Sequence, residues 1–258
     1  MFFTILAYLR YLLKAKGSHA LHSPFMFHFY SEVVSIRKPY YAFGAINSLR
    51  LSLMQSTQKI HVKDLGAGSK TMGNERTVGQ ITRKSSASAK EGELLFRIAN
   101  ECSPKTILEL GTSIGLSSLY LAMANSQTKV HTIEGCPETA KVAQKNFQML
   151  GAKNIASYVG EIDEILPKTL QKAGKIDLAY LDANHQYEPT LRYFEQILPA
   201  LSEEAVVIFD DIHWSEGMEK AWNEICQRPE VTISLDLFSL GVVFVSKKFS
   251  KEHFVLKF

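Results

Sequence analysis

At 258 residues, 46% hydrophobic and 21% charged, the chain has the make-up of an ordinary globular protein able to bury one large core, with or without a small satellite. Its formal net charge of +3 comes without a dense Lys/Arg block, which argues against a nucleic-acid partner. Cys102, Cys136 and Cys226 show no C-x-x-C spacing and read as reduced thiols in a cytoplasmic protein, not as a zinc site or a disulfide framework.

The N-terminus, Met1 to Leu13, is apolar but interrupted by Arg10. It is too short to span a bilayer and lacks both a basic leader and a cleavage site. An amphipathic helix packed on the protein or on a partner is the expectation, and stable membrane insertion is not. The sharper alternative is a membrane-surface helix with Arg10, Lys14 and Lys16 near headgroups. Apolar residues continue at helical spacing to about Ser56, so residues 1–84 read as a helical extension followed by a loop-rich connector. Within it, Gly17 to Phe25 reads as a structural turn, because Pro24 and the lack of a third ligand argue against a metal site at His19 and His22. The connector, Lys59 to about Ala89, is polar and glycine-punctuated. Its stretch Asp64-Leu65-Gly66-Ala67-Gly68-Ser69 reads as a polar lid that brings Ser69, Lys70 and Arg76 towards a substrate.

From residue 85 to 258, strand and helix signals alternate. Helix 91–102 stops before Pro104, and strand 106–110 leads through a Gly turn into helix 116–124. Strand 129–133 precedes helix 137–150, strand 155–159 precedes helix 162–172, and strand 176–181 precedes helix 187–201. Strand 205–209 and helix 216–227 complete the series. Two last strands, 231–237 and 241–245, leave no room for a helix between them and must pair antiparallel. The fold class is therefore α/β: a mostly parallel, Rossmann-like sheet with an antiparallel C-terminal hairpin, covered by helices on both faces.

In such a sheet ligands bind beyond the carboxyl ends of the strands. After the first strand comes Glu109-Leu110-Gly111-Thr112-Ser113-Ile114-Gly115, where Gly111 permits a positive φ and Gly115 lets ligand or backbone approach. The helix behind it offers free N–H groups to an anion. The second strand ends at Glu134, placed to accept both hydroxyls of a ribose. The fourth strand ends in Asp182-Ala183-Asn184-His185 and the fifth in Asp210-Asp211-Ile212-His213. Adjacent parallel strands should cluster Asp182, Asp210 and Asp211, whose mutual repulsion a divalent cation such as Mg2+ would remove.

These residues resemble the class I S-adenosylmethionine-dependent methyltransferases, whose first motif, E/D-x-G-x-x-x-G, matches Glu109 to Gly115 and whose second-strand acid matches Glu134. The resemblance implies a methyltransferase domain over residues 85–258. Its donor site would be formed by Glu109, Gly111, Thr112, Ser113, Gly115, Ser117, Glu134, Gly135 and Asp182, with Gly160-Glu161-Ile162 beside the adenine. The acid pattern is similar to the metal-dependent catechol- and caffeoyl-CoA-type O-methyltransferases, with Asp210-Asp211 in place of their Asp-Asn pair. Their lysine base is replaced by His185, which can accept a proton near neutral pH. His213 is a second base candidate, more readily a satisfied histidine. Trp214 and Tyr187 could wall a planar substrate, although such aromatics more often fill a core.

The expected function is O-methylation of a small hydroxylated molecule, with His185 and Asp182 as catalytic residues. The alternatives are methylation of a protein or nucleic-acid acceptor, and a non-catalytic module that senses the donor or dimerises. A homodimer through the first helices is a further expectation.

Overall fold

The computed structural model describes residues 2–62, 75–84 and 86–258. The lid stretch from Asp64 to Ser69, and Lys70, lie outside them. Helix α1 (Phe2–Lys14) opens the described chain, followed by α2 (Pro24–Phe29), which runs into a π-helical turn at Tyr30–Val34. Ser23 caps α2, its Oγ accepting the Met26 amide at 3.4 Å, and Pro24 occupies the first turn. The neighbouring Phe25 stacks on Phe249, with centroids 4.5 Å apart. The turn expected at Gly17 to Phe25 is thus a short 3-10 turn at Ser18–Ala20 followed by a helix cap with an aromatic anchor.

Helix α3 (Tyr41–Met54) precedes the connector, whose described residues include two strands and a helix. Strands β1 (Lys59–His61) and β2 (Glu75–Thr77) pair antiparallel, and α4 (Val78–Lys84) follows directly. Gly79 is a packing residue there: a Cβ on it would meet the Met54 carbonyl oxygen at 2.7 Å. Helix α5 (Ala89–Cys102) begins in a capping box, in which Ser88 Oγ accepts the Glu91 amide and Glu91 Oε2 accepts the Ser88 amide.

The alternating series follows the expected order. It comprises β3 (Thr106–Leu110), α6 (Leu116–Ala124), β4 (Lys129–Glu134), α7 (Pro137–Met149), β5 (Ile155–Val159) and α8 (Ile162–Ala173). It continues with β6 (Ile176–Leu181), α9 (Tyr187–Ile197), β7 (Leu201–Asp210) and α10 (Glu216–Gln227). Strands β8 (Ile233–Asp236), β9 (Leu240–Ser246) and β10 (Glu252–Val255) close it. Among the described residues, no helix is long and apolar enough to cross a membrane.

Two compact units emerge. One, residues 38–174, holds the parallel strands β3, β4 and β5 in that order, with Leu110 opposite Ile133 and Ile133 opposite Tyr158. Its helices close on one another tightly, since a Cβ on Gly92 of α5 would strike the Tyr120 ring of α6 at 2.2 Å. The other unit joins residues 1–37 to 175–258 and carries the order β10-β8-β9-β7-β6. There β6 and β7 are parallel, with Leu181 opposite Phe209, while β7–β9 and β9–β8 are antiparallel. Gly241 of β9 is held by close approach, a Cβ there meeting Trp222 of α10 at 2.5 Å.

The strand β10 was not expected. It pairs parallel with β8, and the backbone of Lys16 continues the ladder, donating to Val255 O at 2.9 Å and accepting from the Lys257 amide at 3.0 Å. The N-terminal segment thereby covers an otherwise open strand edge. The fold class is the one expected: mostly parallel strands with an antiparallel C-terminal hairpin, flanked by helices and preceded by α1.

Candidate active site

The turn after β3 is bent by Gly111 (φ 96°) and Gly115 (φ 85°), with Ser113 between them also at positive φ (50°). The amides of Gly111 and Thr112 both donate to Ile133 O, at 2.9 and 3.2 Å, which pins the turn to the end of β4. Gly115 caps α6 in the left-handed region. Its lack of a side chain makes room for protein: a Cβ there would lie 2.5 Å from the Phe147 ring and 3.0 Å from Ala143 of α7. Ser117 sits in the first turn of α6 and is buried.

Glu109 lies fully buried within β3. It accepts hydrogen bonds from Ser118 of α6 and from Thr132 Oγ1 of β4, the latter at 2.6 Å, and so joins three elements. The Thr112 and Thr132 hydroxyls share a further bond at 2.5 Å. With no accessible surface, Glu109 shapes the turn from behind.

Glu134, half-buried at the end of β4, has its carboxylate oriented by backbone. Oε2 accepts the Ser113 amide at 2.6 Å and Oε1 accepts the Cys136 amide at 2.8 Å. Backbone N–H groups on both oxygens thus fix the direction of the acid. Gly135 follows it, partly exposed. The Gly160 amide donates to Glu134 O at 2.9 Å, bringing the turn before α8 to the same strand end. Gly160 is at φ 147°, Glu161 is the N-cap of α8 and Ile162 its first residue. Gly111, Thr112, Ser113, Glu134, Gly135 and Gly160 therefore line one set of strand ends in one unit, as the spacing requires.

The acids gather in the other unit. Because Leu181 and Phe209 are register partners, the next residues, Asp182 and Asp210, leave β6 and β7 side by side. Ligand atoms of Asp182, His185 and Asp210 all lie within 4.8 Å of one another, with His185 Nε2 3.3 Å from Asp182 Oδ1. Two hard oxygens and an imidazole nitrogen at this spacing fit a divalent cation, which accepts mixed O/N donors when Mg2+, Mn2+ or a similar ion is bound. Asp211, expected among the ligands, is outside this group: its amide donates to Ser239 O at 2.7 Å and its carbonyl accepts the Trp214 amide at 2.9 Å, which turns the chain. Its charge still reaches His185. Burial depresses the charged form of that imidazole, but the hydrogen bond and charge of Asp182 and the charge of Asp211 outweigh it, so its pKa is raised above 6.5.

Backbone strain concentrates at the same strand ends. Asn184 (φ 69°), His185 (φ 38°) and Asp211 (φ 54°) all occupy the left-handed region without being glycine. Such positions cost on the order of 1 kcal/mol or more each and collect at functional sites.

His213 is the satisfied histidine of the two readings. Its Nδ1 lies 3.1 Å from Glu219 and its Nε2 2.8 Å from Asp236, while its ring stacks on Phe238. Composition alone did not reveal this clamp, because Asp236 lies in a strand that reads as core. Tyr187 donates to Glu224 at 2.7 Å under Lys220, and Trp214 is exposed, so neither is a core aromatic. Arg76 is buried in the β1–β2 pair.

Parallel strands ending in a Gly turn, a backbone-oriented acid after the next strand and the antiparallel C-terminal hairpin define a class I S-adenosylmethionine-dependent methyltransferase fold. A family model described as a methyltransferase domain matches residues 108–212. The chain is thus similar to methyltransferases, catechol O-methyltransferases among them. It is 32% identical over 130 residues to the catechol O-methyltransferase of Niastella koreensis, covering 49% of this chain and 58% of that protein. The catechol O-methyltransferase of Mycobacterium tuberculosis is 33% identical over 127 residues, 48% of this chain and 56% of that one. The chain thus spans little more than half the length of these relatives. Among solved structures, the O-methyltransferase TomG from Streptomyces achromogenes superposes with a TM-score of 0.59 at 20% identity, covering 85% of this chain and 94% of TomG. An O-methyltransferase from Bacillus cereus gives 0.57 at 16% identity, covering 85% and 96%. These two likenesses are of fold.

Proposed function

We propose that the chain transfers a methyl group from S-adenosylmethionine to a hydroxyl of a small molecule, with a divalent cation held by Asp182, His185 and Asp210. The convergence of those three side chains at the ends of β6 and β7 is the observation that carries the reading. The catechol O-methyltransferase names of two relatives point to the same acceptor chemistry.

On this reading Glu134 binds the ribose hydroxyls through oxygens already aimed by the Ser113 and Cys136 amides. The first turn of α6, with Ser117, takes the methionine carboxylate against its free amides beside the Gly111–Gly115 turn, and Gly160 to Ile162 border the adenine. Methyl transfer from a sulfonium is an in-line displacement, so the acceptor oxygen must be aligned and must lose its proton as it attacks. When bound, the cation supplies orientation of that hydroxyl and a lower pKa for it. Asp182 and Asp210 provide the negative charge that holds it, and Asp211 adds to the field.

A second reading keeps the chemistry but changes the role of His185. Its contact with Asp182 and its raised pKa suit a proton acceptor oriented by a carboxylate, in a site that works without a cation.

The test is calorimetric titration of S-adenosylhomocysteine into the protein, followed by methylation of a catechol with Mg2+ or Mn2+ and then with chelator. Donor-product binding with cation-dependent turnover supports the first reading. Binding with turnover that chelator leaves intact supports the second. Absence of binding sinks both.

A further inference from the structure

Helix α1 is apolar nearly all the way round, yet the fold covers one side of it. Ala7 and Tyr11 are buried. Tyr11 Oη donates to Leu256 O at 2.6 Å and accepts the Phe258 amide at 3.2 Å, and the rings of Tyr8 and Tyr11 pack against Phe238. The opposite side carries Ile5, Leu6, Leu9 and Leu12, all exposed, and Leu13, which is 89% exposed. These positions recur at helical spacing and form one continuous stripe. A stripe of this kind marks a surface that meets another apolar phase.

Charge decides which phase. The helix, FFTILAYLRYLLK, contains no acidic residue. Arg10, on one edge, is tied to Glu219 at 3.0 Å. Lys14 and Lys16 are exposed at its C-terminal end, and exposed Lys257 is drawn beside them by its amide bond to Lys16 O. Among the described residues, none of these three ammonium groups is paired with a carboxylate. A second copy laid on the stripe offers them no partner. Parallel pairing sets lysine against lysine, and antiparallel pairing sets the lysines against a first turn without acids and the positive end of a helix dipole. An anionic lipid surface satisfies both features, with leucines in the acyl boundary and lysines among the headgroups.

We infer that α1 is a peripheral docking helix that seats the chain on an anionic lipid surface. The inference rests on α1 and the lysines beside its C-terminal end and stands apart from the methyltransferase reading.

The test is co-sedimentation of the full chain with vesicles of phosphatidylcholine alone or mixed with phosphatidylglycerol. The chain should partition with the anionic vesicles, and weaken by about fivefold for each of Lys14→Ala, Lys16→Ala and Lys257→Ala. Leu9→Glu/Leu13→Glu should abolish partitioning. Since both side chains face away from the fold, unchanged circular dichroism and melting of that variant separate docking from misfolding. Equal partitioning on both vesicle types, none on either, or retention by the Leu9→Glu/Leu13→Glu variant overturns the inference. So does a dimer in sedimentation velocity that this variant splits while the wild-type chain ignores vesicles, which would make the stripe a self-interface.

Discussion

Glu134 Oε2 accepts the Ser113 amide at 2.6 Å, so the acid at the end of β4 and the Gly turn after β3 are one assembly. The Cys136 amide on Oε1 completes it. Both carboxylate oxygens face backbone donors, and an amide side chain would turn an NH2 group towards one of them. Glu134→Gln should therefore weaken S-adenosylhomocysteine binding by about 10- to 100-fold, no less than Glu134→Ala, the scale of a hydrogen bond to a charged group. Calorimetry of the two variants checks it; near-wild-type affinity in the glutamine variant would show that the charge is irrelevant to the site.

Gly115 combines a positive φ with a crowded neighbour in Phe147. Gly115→Ala should destabilise by about 3 kcal/mol, from left-handed backbone strain plus overpacking. A fall in Tm of roughly 6–12 °C follows for a protein of this size. Gly151→Ala is the control: φ is +67° there but nothing lies within 4 Å, so only the backbone contribution of about 1 kcal/mol remains. Similar melting of the two variants would refute the packing argument.

His213 gives the fold a pH signature. Burial disfavours its charge, but hydrogen bonds and charges of Asp236 and Glu219 prevail and raise its pKa above 6.5. A raised value in the folded state means that the stabilisation is complete below about 6.5 and is lost as pH rises through the folded pKa. The Tm difference between wild type and His213→Gln should be constant at the acid end of pH 5.5–9 and shrink towards the alkaline end. A difference independent of pH would remove the charged imidazole from the account.

Asp210→Asn should lower Mn2+ affinity by at least about tenfold, because it removes one of two carboxylates from a small donor set. Electron paramagnetic resonance of free Mn2+ reads this directly. His185→Gln then separates the two roles of His185. Loss of Mn2+ binding marks a ligand; retained binding with loss of the pH dependence of turnover marks a proton acceptor.

Most of the alternating region was legible because hydrophobic period and Gly/Pro punctuation agree there. Helix Leu116–Ala124 and strands Thr106–Leu110, Ile155–Val159 and Ile176–Leu181 fall where the residues place them. The misses share a cause, which is reliance on tertiary context. Strand Glu252–Val255 is short and follows a lysine-rich turn, and only its neighbours Ile233–Asp236 and Lys16 make it a strand. Gly79 reads as loop punctuation, whereas it is small because α3 passes against it. In the site, the adjacency of Asp182 and Asp210 follows from parallel register. His185 lies within 4.8 Å of both acids, and it and Asp211 have left-handed backbone, a conformation that no pattern of residue types encodes.

The backbone ladder between Lys16 and residues 255–257 also bears on how the chain comes into being. One unit is a single uninterrupted stretch, residues 38–174, while the other is assembled from residues 1–37 and 175–258. During synthesis the uninterrupted stretch can collapse as soon as it has left the ribosome. Residues 1–37 must wait for residues 175–258, and until then the Ala7 and Tyr11 side of α1 stays uncovered along with its leucines. That interval is when a chaperone or a surface would find this helix, and when the nascent chain is most prone to aggregate.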